Sequence, residues 1–301
     1  MHKTSRKRYT KHAVCVLLAL TSAVAAAELR YYPHYRRDTV DLSPQAHAEI
    51  RVTSANVRCL SPTDLGKKSW FYRASLLLRV LSSEQPDVIG FQEVTRVHYA
   101  YLQSHLQGYD SVIAYRDGSL FSEGCPIFYN TERFTLTDKG SFWLSETPER
   151  SSKSWGAAFP RVCSYVILRE IATDKPLVVF NTHLDHVSDA ARIRGIGVVL
   201  EKLRQFGGQP CILMGDLNAD EQSETYRAAT ESFDDAKYRT ADPPTGPTYQ
   251  NWGQALDREN IDYFLISKTG IGVQSYQILD TTFDGVYPSD HFPIALRMTL
   301  E

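Results

Sequence analysis

No CxxC pair occurs among the five cysteines of this 301-residue chain, which removes the zinc-ribbon and thioredoxin-type arrangements from consideration. No apolar run reaches the roughly 18 residues needed to cross a bilayer. Basic surplus is also missing. The first 27 residues hold five of the 33 Lys and Arg and none of the 35 Asp and Glu, so 28 basic groups face 35 acidic ones in the remainder. A body with that balance is a poor electrostatic trap for long nucleic acid, which is held through basic stripes. Internal repeats, low-complexity tracts and linker-like shifts in composition are absent, and the roughly 270 residues that follow read as a single large domain.

What is present begins with a leader. "KTSRKRYTKH" is basic, "AVCVLLALTSAVA" is apolar but short, and Ala25 to Ala27 offer a small-residue cleavage site. Residues 1–27 read as a secretory signal peptide, with a single-pass anchor as the competing reading. The expected product is secreted or periplasmic, monomeric, and without stable membrane association once the signal is cleaved. Residues 28–49 form a polar, turn-rich extension, and residues 50–301 form the body. Cys15 leaves with the leader. Cys59, Cys125, Cys163 and Cys211 could form two bridges in an oxidising compartment, but the last three sit in or beside apolar runs, which favours free buried thiols.

Short runs rich in Val, Ile, Phe and Tyr recur between turn signals, among them "IRVTSANV", "PDVIGFQEV", "LVVFNTHL", "CILMGDLN", "NIDYFLIS" and "HFPIALRM". Helical spacing is confined to "WFYRASLLLRVLSSE", to "SDAARIRGIGVVLEKLRQF" with Ser188 or Asp189 as N-cap and Gly207 as stop, and more weakly to "SETYRAATES". Many strands with few helices predict an α/β (α+β) four-layer sandwich, two packed and mainly antiparallel β-sheets flanked by helices.

The strand ends share a chemistry. "RVTSANV" reaches Asn56, "VIGFQEV" reaches Glu93, "VFNTHLD" supplies Asn181, His183 and Asp185, and "LMGDLN" supplies Asp216 and Asn218. "YPSDHFP" adds Asp290 and His291 before the last strand. Taken singly, each has an ordinary explanation as a turn residue, a solvated carboxylate or a core histidine. Taken together, they suit a hard divalent cation, which takes oxygen ligands, beside a histidine able to move a proton. That combination serves attack of water on a phosphoester.

In order along the chain, "SANVR", "PDVIGFQEV", "SEGCPIFYN", "SFWLSETP", "FPRVCSYV", "FNTHLDH", "MGDLNA", "IDYFLIS" and "YPSDHFPI" resemble the successive motifs of the endonuclease/exonuclease/phosphatase superfamily, over about residues 50 to 299. The secreted bacterial members are the nearest in character. The resemblance implies a Mg²⁺ site, with Mn²⁺ as the alternative ion, in which Glu93 is the principal ligand with Asn56 and Asp290 beside it. It implies that Asp216 and Asn218 position the attacking water, that His291 is the catalytic histidine and that Asp262 orients it. It further implies that His183 pairs with Glu123, and that Arg161, Asn181 and Asp185 face the substrate. One departure stands out: many members carry arginine before "IDY", whereas this chain has Asn260 there and Arg258 two residues earlier.

The expectation is therefore an exported Mg²⁺-dependent phosphoesterase cleaving phosphodiesters by in-line attack of water, with a nuclease as first choice. A phosphatase or a lipid or sugar-phosphate phosphodiesterase of the same superfamily is the alternative. A catalytically inactive binding domain is the reading from another class, and the completeness of the residue set argues against it.

Overall fold

A computed structural model describes Tyr35 and residues 42–256 and 259–301; the leader, most of the extension, and Arg258 lie outside the described residues. Among the described residues, twelve strands form two six-stranded sheets. The first contains β1 (Ile50–Asn56), β2 (Val88–Gln92), β3 (Tyr109–Val112), β4 (Ile127–Asn130), β11 (Ile271–Ile278) and β12 (Ile294–Leu300), in the order β11-β12-β1-β2-β4-β3. The second contains β5 (Phe134–Trp143), β6 (Val162–Glu170), β7 (Pro176–His183), β8 (Cys211–Asp216), β9 (Phe233–Asp235) and β10 (Asp262–Ser267), in the order β5-β6-β7-β8-β10-β9. Among the described strands, β1 with β2 and β7 with β8 run parallel and the other pairs run antiparallel. Each of these parallel pairs is joined through a helix, as a crossover requires.

The α-helices that lie wholly among the described residues are α1 (Trp70–Glu84), α2 (Arg96–His105), α3 (Asp189–Arg204) and α4 (Glu224–Thr230). Helix α1 matches the sequence expectation, and α3 begins at the expected cap, where Ser188 accepts from the Ala191 amide. Helix α2 was not foreseen. Its apolar spacing is diluted by Tyr and His, and its start is a capping box in which His98 occupies the position usually held by Glu or Gln. Strand β9, three residues long, also escaped notice because so short a run carries no period.

The two sheets bury an apolar layer of Val52, Val88, Ile212, Met214, Phe264, Ile294 and Leu296 between them, while α3 and α4 cover one outer face and α1 and α2 the other. This is the anticipated four-layer arrangement. All four described cysteines are free, three of them buried.

A polar bridge crosses the dry interface between the sheets. Asn181 on β7 donates to the carbonyls of Phe91 (2.8 Å) and Pro126 (2.8 Å), and its own oxygen accepts from Gln92 Nε2 on β2 (2.7 Å). Gln92 Nε2 also reaches Ser54 Oγ at 3.1 Å. Removing one partner of such a bridge leaves several buried polar groups to be desolvated without compensation. Asn181→Ala should destabilise the fold by about 2–4 kcal/mol in chemical denaturation, since each orphaned group costs about 1–3 kcal/mol; a loss under about 1 kcal/mol would show that the bridge does not hold the sheets.

Candidate active site

Strand register builds the site. Across the second sheet His183 is level with Asp216 on the neighbouring parallel strand, and Asp262 is directly opposite Asp216 on the antiparallel one. Across the first sheet Asn56 is level with Gln92, and Glu93 follows at φ +61°, a left-handed turn that stops the strand there. Gly215, at φ +135°, lies so close to the Thr182 carbonyl that an added Cβ would be 1.9 Å from that oxygen, so only glycine lets β8 deliver Asp216.

These elements converge on Asp216. Its Oδ2 accepts from Asn56 Nδ2 at 3.0 Å and lies 3.5 Å from His183 Nε2 and 3.7 Å from His291 Nε2. Asn56 Nδ2 also donates to Glu93 Oε1 at 3.0 Å, and Glu93 Oε2 accepts from the Cys59 amide at 2.7 Å. Asn56, expected beside the metal, is thus a brace between two carboxylates, with its oxygen occupied by the Arg58 amide at 2.9 Å. Donor atoms of Glu93, His183 and Asp216 lie within 4.8 Å of one another, as do those of Asp216, Asp262 and His291. A buried set of carboxylate oxygens with one imidazole fits a divalent cation.

His291 Nδ1 is 2.8 Å from Asp262 Oδ2, as expected for a histidine held in one orientation. Burial works against its charged form, but the Asp262 carboxylate, by charge and hydrogen bond, together with Asp216 and Asp290, raises it to about 10. Asp216 is raised to about 7 by burial and by the facing Asp262 carboxylate. His183 is held well below its ordinary value by burial and by Arg161. Asp290 sits 3.4 Å from Arg58 Nη1, and Arg58 in turn bonds Asp64 at 2.9 Å. Asn218, at φ +48°, is fixed by its amide to Asp216 Oδ1 (2.8 Å) and by its side chain to the Leu184 carbonyl (3.1 Å).

Three expectations change. Glu123 does not bond His183; its Oε2 takes Arg116 Nη1 at 2.8 Å, a permanent cation outcompeting a neutral imidazole. Asn181 does not face substrate, because it lies on the same face of β7 as His183 but one pleat deeper, where it is fully buried in the inter-sheet bridge. Asp185 is also occupied internally. It accepts from the amides of Ala158, Val187 and Ser188 and lies 3.5 Å from Arg161 Nε, so it positions that arginine and its loop. Asn260 is buried, and its carbonyl accepts from the Tyr263 hydroxyl at 2.7 Å.

A cleft of about 570 Å³ opens over this cluster, lined by Glu93, Glu123, His183, Asp216, Asn218, Asp290 and His291 together with Arg58, Cys59, Arg116, Phe159, Arg161, His186, Tyr249 and Ile261. Sequence reading missed the Arg58, Arg116, Phe159 and His186 contributions. Arg58 was visible at the end of "SANVR", and Arg116 at the end of the strand-like run "YDSVIAYRD", although β3 itself stops at Val112.

The endonuclease/exonuclease/phosphatase family model matches residues 53–291, which contain every one of these strands' site residues. The chain belongs to the endonuclease/exonuclease/phosphatase family. Its members are phosphoester hydrolases, generally dependent on a divalent metal, and so is this fold's expected chemistry. Human nocturnin is 25% identical over 310 residues, covering 87% of this chain and 68% of nocturnin. Among solved structures, an endonuclease/exonuclease/phosphatase protein from Bacteroides vulgatus is 26% identical with a TM-score of 0.78, covering 85% of this chain and all of that one. A mannosyl-6-phosphatase from Bacteroides thetaiotaomicron is 28% identical with a TM-score of 0.75, covering 83% of this chain and all of that one.

The raised His291 has a sign that can be checked. A histidine whose folded value exceeds its unfolded value of about 6.5 contributes stability that is complete below that pH and is lost as pH rises towards 10. NMR titration with the metal chelated should find His291 still protonated at pH 8, and Asp262→Asn should lower its titration point; an unchanged value in that variant would break the link. In turnover, His291→Ala should cost two to four decades, Asp262→Asn nearly as much, and the double variant little more than His291→Ala alone. Strictly multiplicative losses would mean that Asp262 does not act through His291.

Proposed function

We propose that this chain is an exported phosphoesterase that uses a divalent cation, Mg²⁺ or Mn²⁺, and acts on a compact phosphorylated molecule. The observation that carries the reading is the convergence of both carboxylate and histidine groups on Asp216 at the floor of one cleft whose volume suits a small ligand. Glu93 and Asp216 would hold the cation, with Asp290 and His183 at its margin; when bound, it supplies positive charge to the phosphoryl oxygens and to the attacking water.

The protein's own groups do the rest. Asp216 and Asn218 fix the position of the water, one by its buried carboxylate and the other by a side chain pinned to the Leu184 carbonyl. His291 keeps one nitrogen on Asp262 and turns the other towards Asp216, so a proton is available at the face where the phosphate must lie. Asn56 keeps Glu93 and Asp216 at a fixed separation despite their like charge.

Support for a small substrate comes from the acidic balance of the chain, the absence of a basic stripe in its sequence, and the likeness to a mannosyl-6-phosphatase. A nuclease, the first choice on sequence, is the second reading, and the exposed Phe159 at the cleft favours it because a base could stack there. Metal-dependent hydrolysis, read as free phosphate from sugar phosphates and nucleotides and as chain or headgroup cleavage from RNA, DNA and phospholipid, separates the two; cleavage confined to polynucleotides would reverse the order.

Glu93→Gln should weaken Mg²⁺ binding and activity together, and calorimetry showing unchanged Mg²⁺ affinity would remove Glu93 as the principal ligand. Export rests on the leader pattern of residues 1–27. Mass spectrometry of the mature protein should find an N-terminus at or near Glu28, and retention of the leader on a membrane fraction would favour an anchor.

A further inference from the structure

One wall of the cleft is rich in cationic side chains, with a single carboxylate, Glu123, among them. Arg116 and Arg161 both line it, along with His186 and Phe159. Arg161 is 5% exposed, with Nε 3.5 Å from Asp185, and Arg116 pairs with Glu123 at 2.8 Å and lies 3.9 Å from Asp117, so both guanidinium planes are held in place. A guanidinium carries five N–H groups, so each arginine keeps donors beyond those its carboxylate partner takes, and these are what an anion in the cleft can use.

The wall is also built rigidly. Arg116 belongs to the hairpin in which its amide bonds the Glu123 carbonyl at 2.8 Å, and its own carbonyl accepts from the Trp143 indole at 2.7 Å and the Ser151 hydroxyl at 2.6 Å. Its guanidinium lies 4.3 Å from the Phe159 ring centroid, while the other partner of that ring is the His186 imidazole, inclined by only 22°. Arg161 Nη2 is 2.8 Å from His186 Nδ1. Because a guanidinium can only donate, His186 must accept at Nδ1, which puts its proton on Nε2 and leaves an N–H donor on the far side of the ring. Burial and Arg161 both lower the tendency of His186 to take a second proton.

We propose that Arg116, Arg161 and His186 form a subsite for a second anionic group on the substrate, a phosphate or a carboxylate carried by the leaving group. The proposal deepens the small-substrate reading and rests on it. The scissile phosphate is placed by Glu93, Asp216 and His291, and the arginine wall then selects molecules with a further negative charge a short distance away. Phe159, stacked on Arg116, sets the spacing by giving the body of the substrate a flat face to lie against. Charge-assisted contacts of this kind, made from a guanidinium to phosphate or carboxylate, are stronger than neutral ones and directional.

The test separates this role from binding of the scissile phosphate. Glucose 6-phosphate, glucose 1,6-bisphosphate and 6-phosphogluconate share a carbon skeleton and differ in the second group, which is absent, a phosphate or a carboxylate. Calorimetry with Mg²⁺ present, in a His291→Ala background to suppress turnover, should give at least one of the doubly charged ligands a Kd about tenfold below that of glucose 6-phosphate. The phosphate and carboxylate arms show which anion is preferred. Adding Arg116→Gln should abolish that ratio by weakening the doubly charged ligand, with a smaller effect on glucose 6-phosphate; Arg116→Lys should restore part of it. Equal affinities for all three, an equal loss on all three with Arg116→Gln, or no binding by any would overturn the subsite. Turnover of these compounds by the unsubstituted protein is read separately, so hydrolysis without a preference sinks the subsite and leaves the phosphoesterase reading standing.

Discussion

The hydrogen-bonded bridge from Gln92 to Asn181 is the constraint on which the site depends. Glu93, Asp290 and His291 come from the ends of one sheet's strands, while His183, Asp216 and Asp262 come from the other's. Apolar packing between two sheets fixes their separation well but their sliding poorly, because apolar contact has no direction. A directional bond at 2.7 Å between Gln92, adjacent to Glu93, and Asn181, two residues from His183, sets the offset where it matters. Arg73 does the same from outside. Buried on α1, it donates to the carbonyls of Arg58 (2.9 Å) and Pro288 (3.1 Å), tying the loop after β1 to the loop that carries Asp290 and His291.

Within that frame the electrostatics form one unit. Asp216 and Asp262 face each other across antiparallel strands, an arrangement that would be repulsive if nothing intervened. His291 supplies the missing charge to both, and the Asn56 amide supplies donors to Asp216 and Glu93. These donors let the acids be buried side by side, and a cation at the Glu93 side would complete the balance.

The sequence made much of this legible, and for a physical reason. Strands ending in Asn56, Glu93, His183, Asp216 and Asn218 were readable because short, nearly continuous apolar runs stop abruptly on polar groups, and a strand end places its last side chains at one edge of a sheet. Helix α1 was equally plain, since its leucines repeat at helical spacing. What failed was depth and partnership. The motif "FNTHLD" shows that Asn181 and His183 share a face, but not that one pleat separates core from cleft. The pairing of Glu123 with His183 was what the family resemblance implied, and the competing partner Arg116, seven residues away on the same hairpin, is brought close by a turn that the motif does not describe. Helix α2 was missed because His98 caps it in place of an acid.

The left-handed backbone at Glu93 has a further consequence. A residue with a side chain at φ +61° is held in a conformation that an unconstrained chain seldom visits, and here the contacts from Asn56 and the Cys59 amide hold it. The carboxylate is therefore aimed before any ligand arrives, and its conformational entropy is lost during folding and not during binding. Stability spent at that one residue reappears as readiness, so variants that relax the turn would fold more easily and bind their ion less well.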